Sequence, residues 1–163
     1  MSETQDETGR QDDALELLTF TLGGQDYAID IMLVREIKNW SKPTPLPQTP
    51  DYVRGVINLR GTVLPILDLS LRLGVESAAQ GSRTVYIVVH AGDRLFGVTV
   101  DGVSDILTVP KEALQDAPSL RGEAPGAGLV RGLIVEDERI IRVLAAETLA
   151  PSVGASEGRP DAA

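Results

Sequence analysis

Short runs rich in Val, Ile and Leu recur along this chain, separated by Gly, Pro, Asp and Asn. This spacing is typical of an all-β sandwich or barrel, because each run has the length of one strand and is too short for a packed helix. The predicted strands are Leu17–Leu22, Asp26–Ile31, Val34–Trp40, Gly55–Leu59, Thr62–Leu67, Thr84–His90, Leu95–Val100, Ser104–Val109, Val130–Val135 and Arg139–Leu144. Helical turns are predicted at Leu69–Leu73, Lys111–Asp116 and Ala146–Leu149.

An internal repeat constrains the fold further. Residues 24–37 parallel residues 93–106 after a shift of 69 positions, and residues 55–67 similarly parallel residues 132–144. One interpretation is that any two β-hairpins look somewhat alike. The other is a duplication, which predicts two similar five-stranded barrels with a shared core and a groove where they meet. Closing each sheet into a barrel would also hide strand edges that otherwise invite aggregation.

Proline sets two local expectations. Pro65 lies inside a predicted strand and has no N–H to donate, so this strand should lie at a sheet edge or carry a bulge there. Trp40 precedes residues 41–50, whose four prolines favour an extended, stiff segment. That segment is either a docking ridge or a rigid crossover that covers a barrel end, and the crossover is the favoured interpretation.

Composition narrows the class of protein. The 163 residues, 42% of them hydrophobic, suit one compact domain, and the net charge of -9 disfavours nucleic acid and anionic membranes as partners. The absence of cysteine excludes disulfides and thiol chemistry. There is no signal-peptide pattern and no apolar run of the roughly 18 residues that span a bilayer, so we expect a soluble, cytoplasmic protein without membrane insertion.

Both ends of the chain have the composition of disordered tails. Residues 1–14 are polar and mostly acidic, whereas residues 151–163 are small and rich in Gly and Pro. The folded domain is therefore expected to occupy residues 15–150.

No pattern in the sequence indicates catalysis. Phosphate-binding loops, dinucleotide fingerprints, zinc-protease patterns and EF-hand patterns are all absent. The single histidine, His90, ends an apolar run and suits strand-end packing. We therefore predict no enzyme, no cofactor and no metal. The alternative is a β-barrel enzyme or small-molecule binder that uses the groove, with His90, Asp101 and Asp105 as its polar groups.

Residues 51–69 contain a specific motif, Gly-Val-x-Asn-Leu-Arg-Gly followed by Pro-Ile-x-Asp-Leu. It resembles the centre of the CheW family of chemotaxis coupling proteins. Shorter stretches at residues 20–23, 27–31, 34–37 and 100–107 extend the likeness over about residues 15–149. The resemblance implies an all-β fold of two five-stranded SH3-like barrels that share a core, with a few short helices.

The resemblance also implies a scaffold without turnover. In this family the module joins the cytoplasmic tip of methyl-accepting chemotaxis receptors to the regulatory domain of the CheA histidine kinase, at receptor arrays on the inner face of the membrane. Whether the output is flagellar chemotaxis or another pathway stays open.

Site residues follow from the resemblance by position. Glu36 and Arg60 match a charged pair near the receptor-facing side. Apolar residues would line the inter-subdomain groove and bind an amphipathic receptor helix: Val34, Ile37, Val103 and Ile106. The kinase contacts do not follow by position in this way; Tyr52 and Arg54 are expected to make them because they lie beside the turn after the proline-rich segment. A purely stabilising ion pair, and strand residues buried in the core, are the structural interpretations of the same positions.

Two departures from the family pattern stand out. Arg142 occupies a position in the last predicted strand where the family usually has an aliphatic residue, so that strand is expected to be partly exposed or to make a different contact. Residues 117–128 are rich in Gly and Pro, which leaves the loop before the final hairpin undefined.

Overall fold

The computed structural model describes residues 14–76, 84–116 and 127–150. Its strands are β1 (Ala14–Leu22), β2 (Gln25–Asp30), β3 (Val34–Asn39), β4 (Val53–Leu59), β5 (Thr62–Leu67), β6 (Val85–Ala91), β7 (Arg94–Val100), β8 (Gly102–Pro110), β9 (Val130–Glu136) and β10 (Arg139–Leu144). One α-helix, α1 (Leu69–Leu73), follows β5, and 3-10 turns occur at Ile31–Leu33, Lys111–Ala113, Ala127–Leu129 and Ala146–Thr148. No helix within these ranges is long and apolar enough to cross a bilayer.

The all-β prediction is confirmed, and the differences lie at element ends. β1 starts at Ala14, which pairs with Pro110, so the strand begins inside the segment expected to be a tail. The turn Ile31–Leu33 was not predicted; the Asp30 carboxylate caps it by accepting a hydrogen bond from the Met32 N–H at 3.0 Å. The remaining parts of both predicted tails, residues 1–13 and 151–163, lie outside the described residues, as does most of the 117–128 loop.

The ten strands form two five-stranded sheets. One, the terminal subdomain, has the order β8-β1-β2-β10-β9, and the other, the central subdomain, has the order β3-β6-β7-β5-β4. The two orders are equivalent: when each strand of the first sheet is replaced by the strand five places further along the chain, counting on from β10 to β1, the order of the second sheet results. The parallel pairs β2–β10 and β5–β7 are equivalent under the same operation. The topology therefore confirms two similar subdomains, and it intertwines them, because β1 and β2 join the strands of the second half.

Each sheet is closed by an equivalent backbone bridge just beyond its outer strand. In the central subdomain, Thr44 exchanges two hydrogen bonds with Val56, at 2.8 and 2.9 Å. In the terminal subdomain, Gln115 exchanges two with Leu133, both at 2.8 Å. These bridges link the segments after β3 and β8 to β4 and β9, which completes each barrel.

Glycine permits the close approach at both bridges. A Cβ atom on Gly55 would lie 2.2 Å from the Thr44 carbonyl oxygen, and one on Gly132 would lie 2.5 Å from the Gln115 carbonyl oxygen. Gly55 also has φ +144°, a conformation that side-chain-bearing residues avoid.

The proline-rich segment follows the crossover interpretation. Trp40 packs against the interior of the central barrel, and the Tyr86 hydroxyl donates a hydrogen bond to the Ser41 carbonyl oxygen at 2.5 Å. Thr44 then closes the barrel as described above. The segment therefore covers one side of the central barrel, with Leu46 left 44% exposed.

Pro65 does not mark an edge strand. β5 lies between β7 and β4, so the edge expectation is wrong, and the nearby irregularity in pairing is on β4, between Val53 and Gly55. Val56, opposite Pro65, directs its backbone hydrogen bonds to Thr44, which makes Val56–Pro65 a non-hydrogen-bonded pair. The nitrogen of Pro65 therefore faces β7, whose pairing with β5 starts only at Ile66, and no ladder bond is lost.

Three apolar clusters stabilise this arrangement. Each barrel has its own interior: Leu15, Leu17, Ala28, Ile134, Ile141 and Val143 in the terminal subdomain, and Ile57, Leu59, Leu64, Ile66, Tyr86 and Val88 in the central one. The largest cluster draws strands from both sheets and includes Leu18, Phe20, Tyr27, Ile29, Leu67, Ile87, Phe96 and Val98. We call this cluster the shared core. It makes the two subdomains one folded unit.

Candidate functional site

Glu36 and Arg60 form the ion pair that the sequence predicted. An Arg60 Nη atom donates to a Glu36 carboxylate oxygen at 2.6 Å, and this bond, followed by the charge of Glu36, raises the pKa of Arg60. Arg60 lies in the β4–β5 turn with φ +50°, and Gly61 beside it donates its N–H to the Asn58 side chain at 2.7 Å. The pair therefore spans from β3 to the β4–β5 turn across the closed side of the central barrel.

The terminal subdomain lacks this pair for a reason visible in the repeat. Asp105 is equivalent to Glu36, and Asp137, with φ +56°, is equivalent to Arg60 with φ +50°. Two carboxylates cannot form an ion pair. The Glu36–Arg60 ion pair thus distinguishes the central subdomain from the terminal subdomain.

The four predicted apolar residues lie on the outer strands β3 and β8, which are equivalent in the two sheets. Val34 and Val103 are half-buried and pack against the shared core. Ile37 and Ile106 are 46% and 56% exposed.

The pairing of the two exposed isoleucines defines which sheet face they occupy. Ile37 lies opposite Ile87 on β6, and Ile106 lies opposite Leu18 on β1. Both partners belong to the shared core, and directly opposed residues share a face. Ile37 and Ile106 therefore extend the apolar surface of the shared core outwards at the two outer strands.

Tyr52 and Arg54, the predicted kinase contacts, are engaged within the fold. The Arg54 guanidinium binds Asp68, with the Nε–Oδ2 distance at 2.9 Å, and the Asp68 N–H donates to the Tyr52 carbonyl oxygen at 2.6 Å. The Tyr52 ring lies under the Arg72 guanidinium, 4.6 Å from its carbon to the ring centroid. The Arg54 side chain is nevertheless 56% exposed.

Asp68 organises this region, although no role was predicted for its side chain from the sequence. Its Oδ1 atom accepts the Leu71 N–H at 3.2 Å, which caps the start of α1, and also accepts the Ser70 hydroxyl hydrogen bond. An aspartate directly before a short helical run is the signal that could have found it.

The polar groups of the alternative interpretation do not form a catalytic constellation. Asp101 accepts the Gly23 N–H at 2.9 Å, and Asp105 accepts the N–H of its neighbour Ile106 at 2.7 Å. His90 is half-buried at the end of β6. No group of three or more His, Cys, Asp or Glu residues in the described ranges could hold a metal ion. A cavity of about 560 Å³ lies elsewhere, lined by Ala14, Leu15, Glu16, Asp30, Met32, Thr108 and Lys111.

Arg142 makes a different contact from an aliphatic residue. Its guanidinium lies over the Tyr27 ring, 5.6 Å from the centroid. On the same face of β10, Ile140 is 49% exposed and lies opposite Val135, which is 54% exposed. The expectation of partial exposure in this hairpin is therefore met, although the sequence did not mark these two apolar residues.

Comparison with known proteins agrees with this architecture. The family model described as the CheW-like domain matches residues 16–153. The chain belongs to the CheW family. Chemotaxis protein CheW of Rhizobium meliloti is 42% identical over 137 residues, which cover 84% of this chain and 88% of the relative. A probable chemotaxis protein CheW of Rhizobium etli is 42% identical over 134 residues, covering 82% and 86% of the two chains.

A solved CheW-family structure supports the fold. The scaffolding protein TtCheW of Thermoanaerobacter tengcongensis superposes with a TM-score of 0.75 at 25% identity, covering 83% of this chain and 86% of that one. The two-barrel architecture and the membership in a family of chemotaxis scaffold proteins are thus established together.

Proposed function

We propose that this CheW-family chain is a non-catalytic adaptor that couples methyl-accepting chemotaxis receptors to a CheA-type histidine kinase. It acts in the cytoplasm, at receptor arrays on the inner face of the membrane. The observation that carries the proposal is the exposure of Ile37 and Ile106 at equivalent positions of the two outer strands, with Glu36 of the Glu36–Arg60 pair on the same strand as Ile37.

The chemistry of this surface suits an amphipathic receptor helix. Exposed isoleucines that extend the shared core offer apolar contact, and Val34 and Val103 on the same two strands pack against that core. The Glu36–Arg60 pair adds a donor and an acceptor held in place by one another. A receptor helix with aliphatic residues at i, i+3 and i+4 would make apolar contacts with the isoleucines and polar contacts with the Glu36–Arg60 pair.

Kinase contact is proposed for Arg54 and Tyr52. The Asp68 carboxylate restrains the Arg54 guanidinium while more than half of its side chain remains exposed. A preorganised arginine of this kind loses little side-chain entropy when it binds a partner.

Titration of the labelled protein with a receptor-tip peptide, followed by NMR, tests receptor coupling. Ile37→Ser and Ile106→Ser should each weaken binding roughly tenfold, since each removes a partly buried aliphatic anchor. Ile140→Ser is the matched control, because Ile140 is 49% exposed and lies on β10, away from the strands and the turn that carry the proposed surface. Absence of peptide binding at tens of micromolar, or an equal loss for Ile140→Ser, would contradict the proposal.

Arginine variants test the polar contacts. Arg60→Ala should weaken peptide binding, whereas Arg54→Met should weaken binding to the kinase regulatory domain and leave peptide binding unchanged. Arg131→Ala is the control, because Arg131 is exposed and forms no ion pair with any of the described residues. The assignment of separate surfaces is wrong if both arginine variants affect both partners equally.

A further inference from the structure

Helix α1 lies between the two subdomains and contacts elements of both. Its first residue, Leu69, is buried in the shared core and donates its N–H to the Thr99 hydroxyl on β7 at 3.2 Å. Leu73, at the other end, is also in the shared core. The helix is therefore anchored to the central subdomain while its side chains take part in the packing between subdomains.

Arg72 on this helix reaches the segment that follows the last strand of the terminal subdomain. One of its Nη atoms donates to the carbonyl oxygen of Thr148, at 2.9 Å, in the 3-10 turn that follows β10. The guanidinium also lies over the ring of Tyr52, which directly precedes β4 of the central subdomain. One side chain thus links the central subdomain to the segment that continues from β10 of the terminal subdomain, through a charge-assisted hydrogen bond and a cation–π contact.

Part of the Arg72 guanidinium is buried, which indicates a positional role. Its Nε atom is buried and makes no hydrogen bond with any described residue. Leaving a buried donor unpaired is unfavourable, so the hydrogen bond to Thr148 and the stacking on Tyr52 must offset that cost. A lysine could supply the donor, but it lacks the planar group that stacks and donates at the same time.

The backbone after α1 makes a second contact with the terminal subdomain. A Cβ atom on Gly23, in the β1–β2 turn, would lie 2.3 Å from the carbonyl oxygen of Glu76. The chain leaving the helix therefore abuts this turn. This contact with the terminal subdomain is separate from the hydrogen bond between Arg72 and Thr148.

We propose that Arg72 is a positioning residue that sets the orientation of the two subdomains relative to each other. Outer strands β3 and β8 belong to different subdomains, so this orientation also sets the spacing between Ile37 and Ile106. Only this consequence for binding rests on the proposed function; the structural role of Arg72 does not.

Pulsed EPR on the full chain measures that spacing. The protein has no cysteine, so Arg35→Cys and Ser104→Cys, exposed on β3 and β8, would carry the only two spin labels. Arg72→Ala should shift or broaden the distribution of distances between the two labels. The population at the wild-type distance, relative to the population at all other distances, should fall about tenfold. Arg72→Lys should restore part of the wild-type distribution.

Variants at Tyr52 and a second change at Arg72 guard against a simple folding defect. Arg72→Met keeps the apolar stem, and it should alter the distance as Arg72→Ala does. Tyr52→Leu should resemble Arg72→Met, whereas Tyr52→Phe keeps the ring face and should resemble wild type. Arg131→Ala is the control. The proposal would be overturned if Arg72→Ala and Arg72→Met both gave the same distance distribution as Arg131→Ala.

The same labelled proteins separate this inference from the proposed function. If the wild type fails to bind the receptor-tip peptide but Arg72→Met shifts the distance, the adaptor proposal fails and the role of Arg72 stands. If the wild type binds the peptide and the distance is unchanged in the Arg72 variants, the role of Arg72 fails alone.

Discussion

Replacing Gly55 with alanine tests how the central barrel closes. The new Cβ would meet the Thr44 carbonyl oxygen at 2.2 Å, so the bridge between Thr44 and Val56 must open and lose two hydrogen bonds. Those bonds contribute about 1 kcal/mol each. The φ of +144° adds about 1–3 kcal/mol of backbone strain for a residue with a side chain. We expect a loss of roughly 3–5 kcal/mol from a total stability that is typically about 5–15 kcal/mol.

Substitutions at two other glycines separate the two contributions to this loss of stability, the steric clash at the bridge and the strain of a positive φ. Gly132→Ala meets the Gln115 carbonyl oxygen at 2.5 Å, and its φ is outside the left-handed range, so it should lose only the bridge, about 2 kcal/mol. Gly92→Ala has φ +63° and nothing within 4 Å of the new Cβ, so it should lose only about 1 kcal/mol from strain.

Urea unfolding provides the assay for all three variants. Trp40, the only tryptophan, packs against the central barrel interior and reports its opening by fluorescence, while circular dichroism reports the whole fold. The expected order of destabilisation is Gly55→Ala, then Gly132→Ala, then Gly92→Ala. If Gly55→Ala is no more destabilising than Gly92→Ala, backbone contact at the bridge does not hold the barrel closed.

Three further outcomes are expected. Asp68→Ala should cost about 1–2 kcal/mol in urea unfolding through loss of the α1 cap, and Asp68→Asn should cost less because asparagine also caps; equal losses would contradict the capping role. Tyr86→Phe should cost about 1 kcal/mol, since it removes the hydrogen bond to Ser41, and an unchanged urea midpoint would speak against that bond. Burial raises the pKa of the Tyr86 hydroxyl, so the folded protein holds the phenolic proton more tightly than the unfolded chain does. The contribution of this proton to the free energy of unfolding is complete below about pH 10, where the tyrosine of the unfolded chain titrates, and it should fall as the pH rises further. Urea midpoints between about pH 8 and 11 measure this loss of stability. Tyr86→Phe should reduce the loss but not abolish it, because burial also raises the pKa of Tyr27. An identical loss in the wild type and in Tyr86→Phe would refute the contribution of Tyr86.

The sequence by itself determined the number of strands and their order along the chain, and it offered the duplication of the two subdomains as one of two interpretations. Strand periodicity and turn residues are local signals, and a repeat is read by comparing the chain with itself. The pairing of Glu36 with Arg60 was also expected, but only through the family resemblance and not from the spacing of the two residues.

Only the tertiary structure decided which strands neighbour each other and which side chains are engaged. Pro65 lies in an interior strand because its missing N–H falls where no ladder bond is made, and this depends on the register of β5 with both neighbours. Arg54 and Arg72 read alike in the sequence as basic residues near apolar runs. One binds a carboxylate within its own subdomain, and the other spans two subdomains, because Asp68 and Thr148 are brought beside them by the fold. Contacts between residues distant in sequence arise from packing, and no local pattern encodes them.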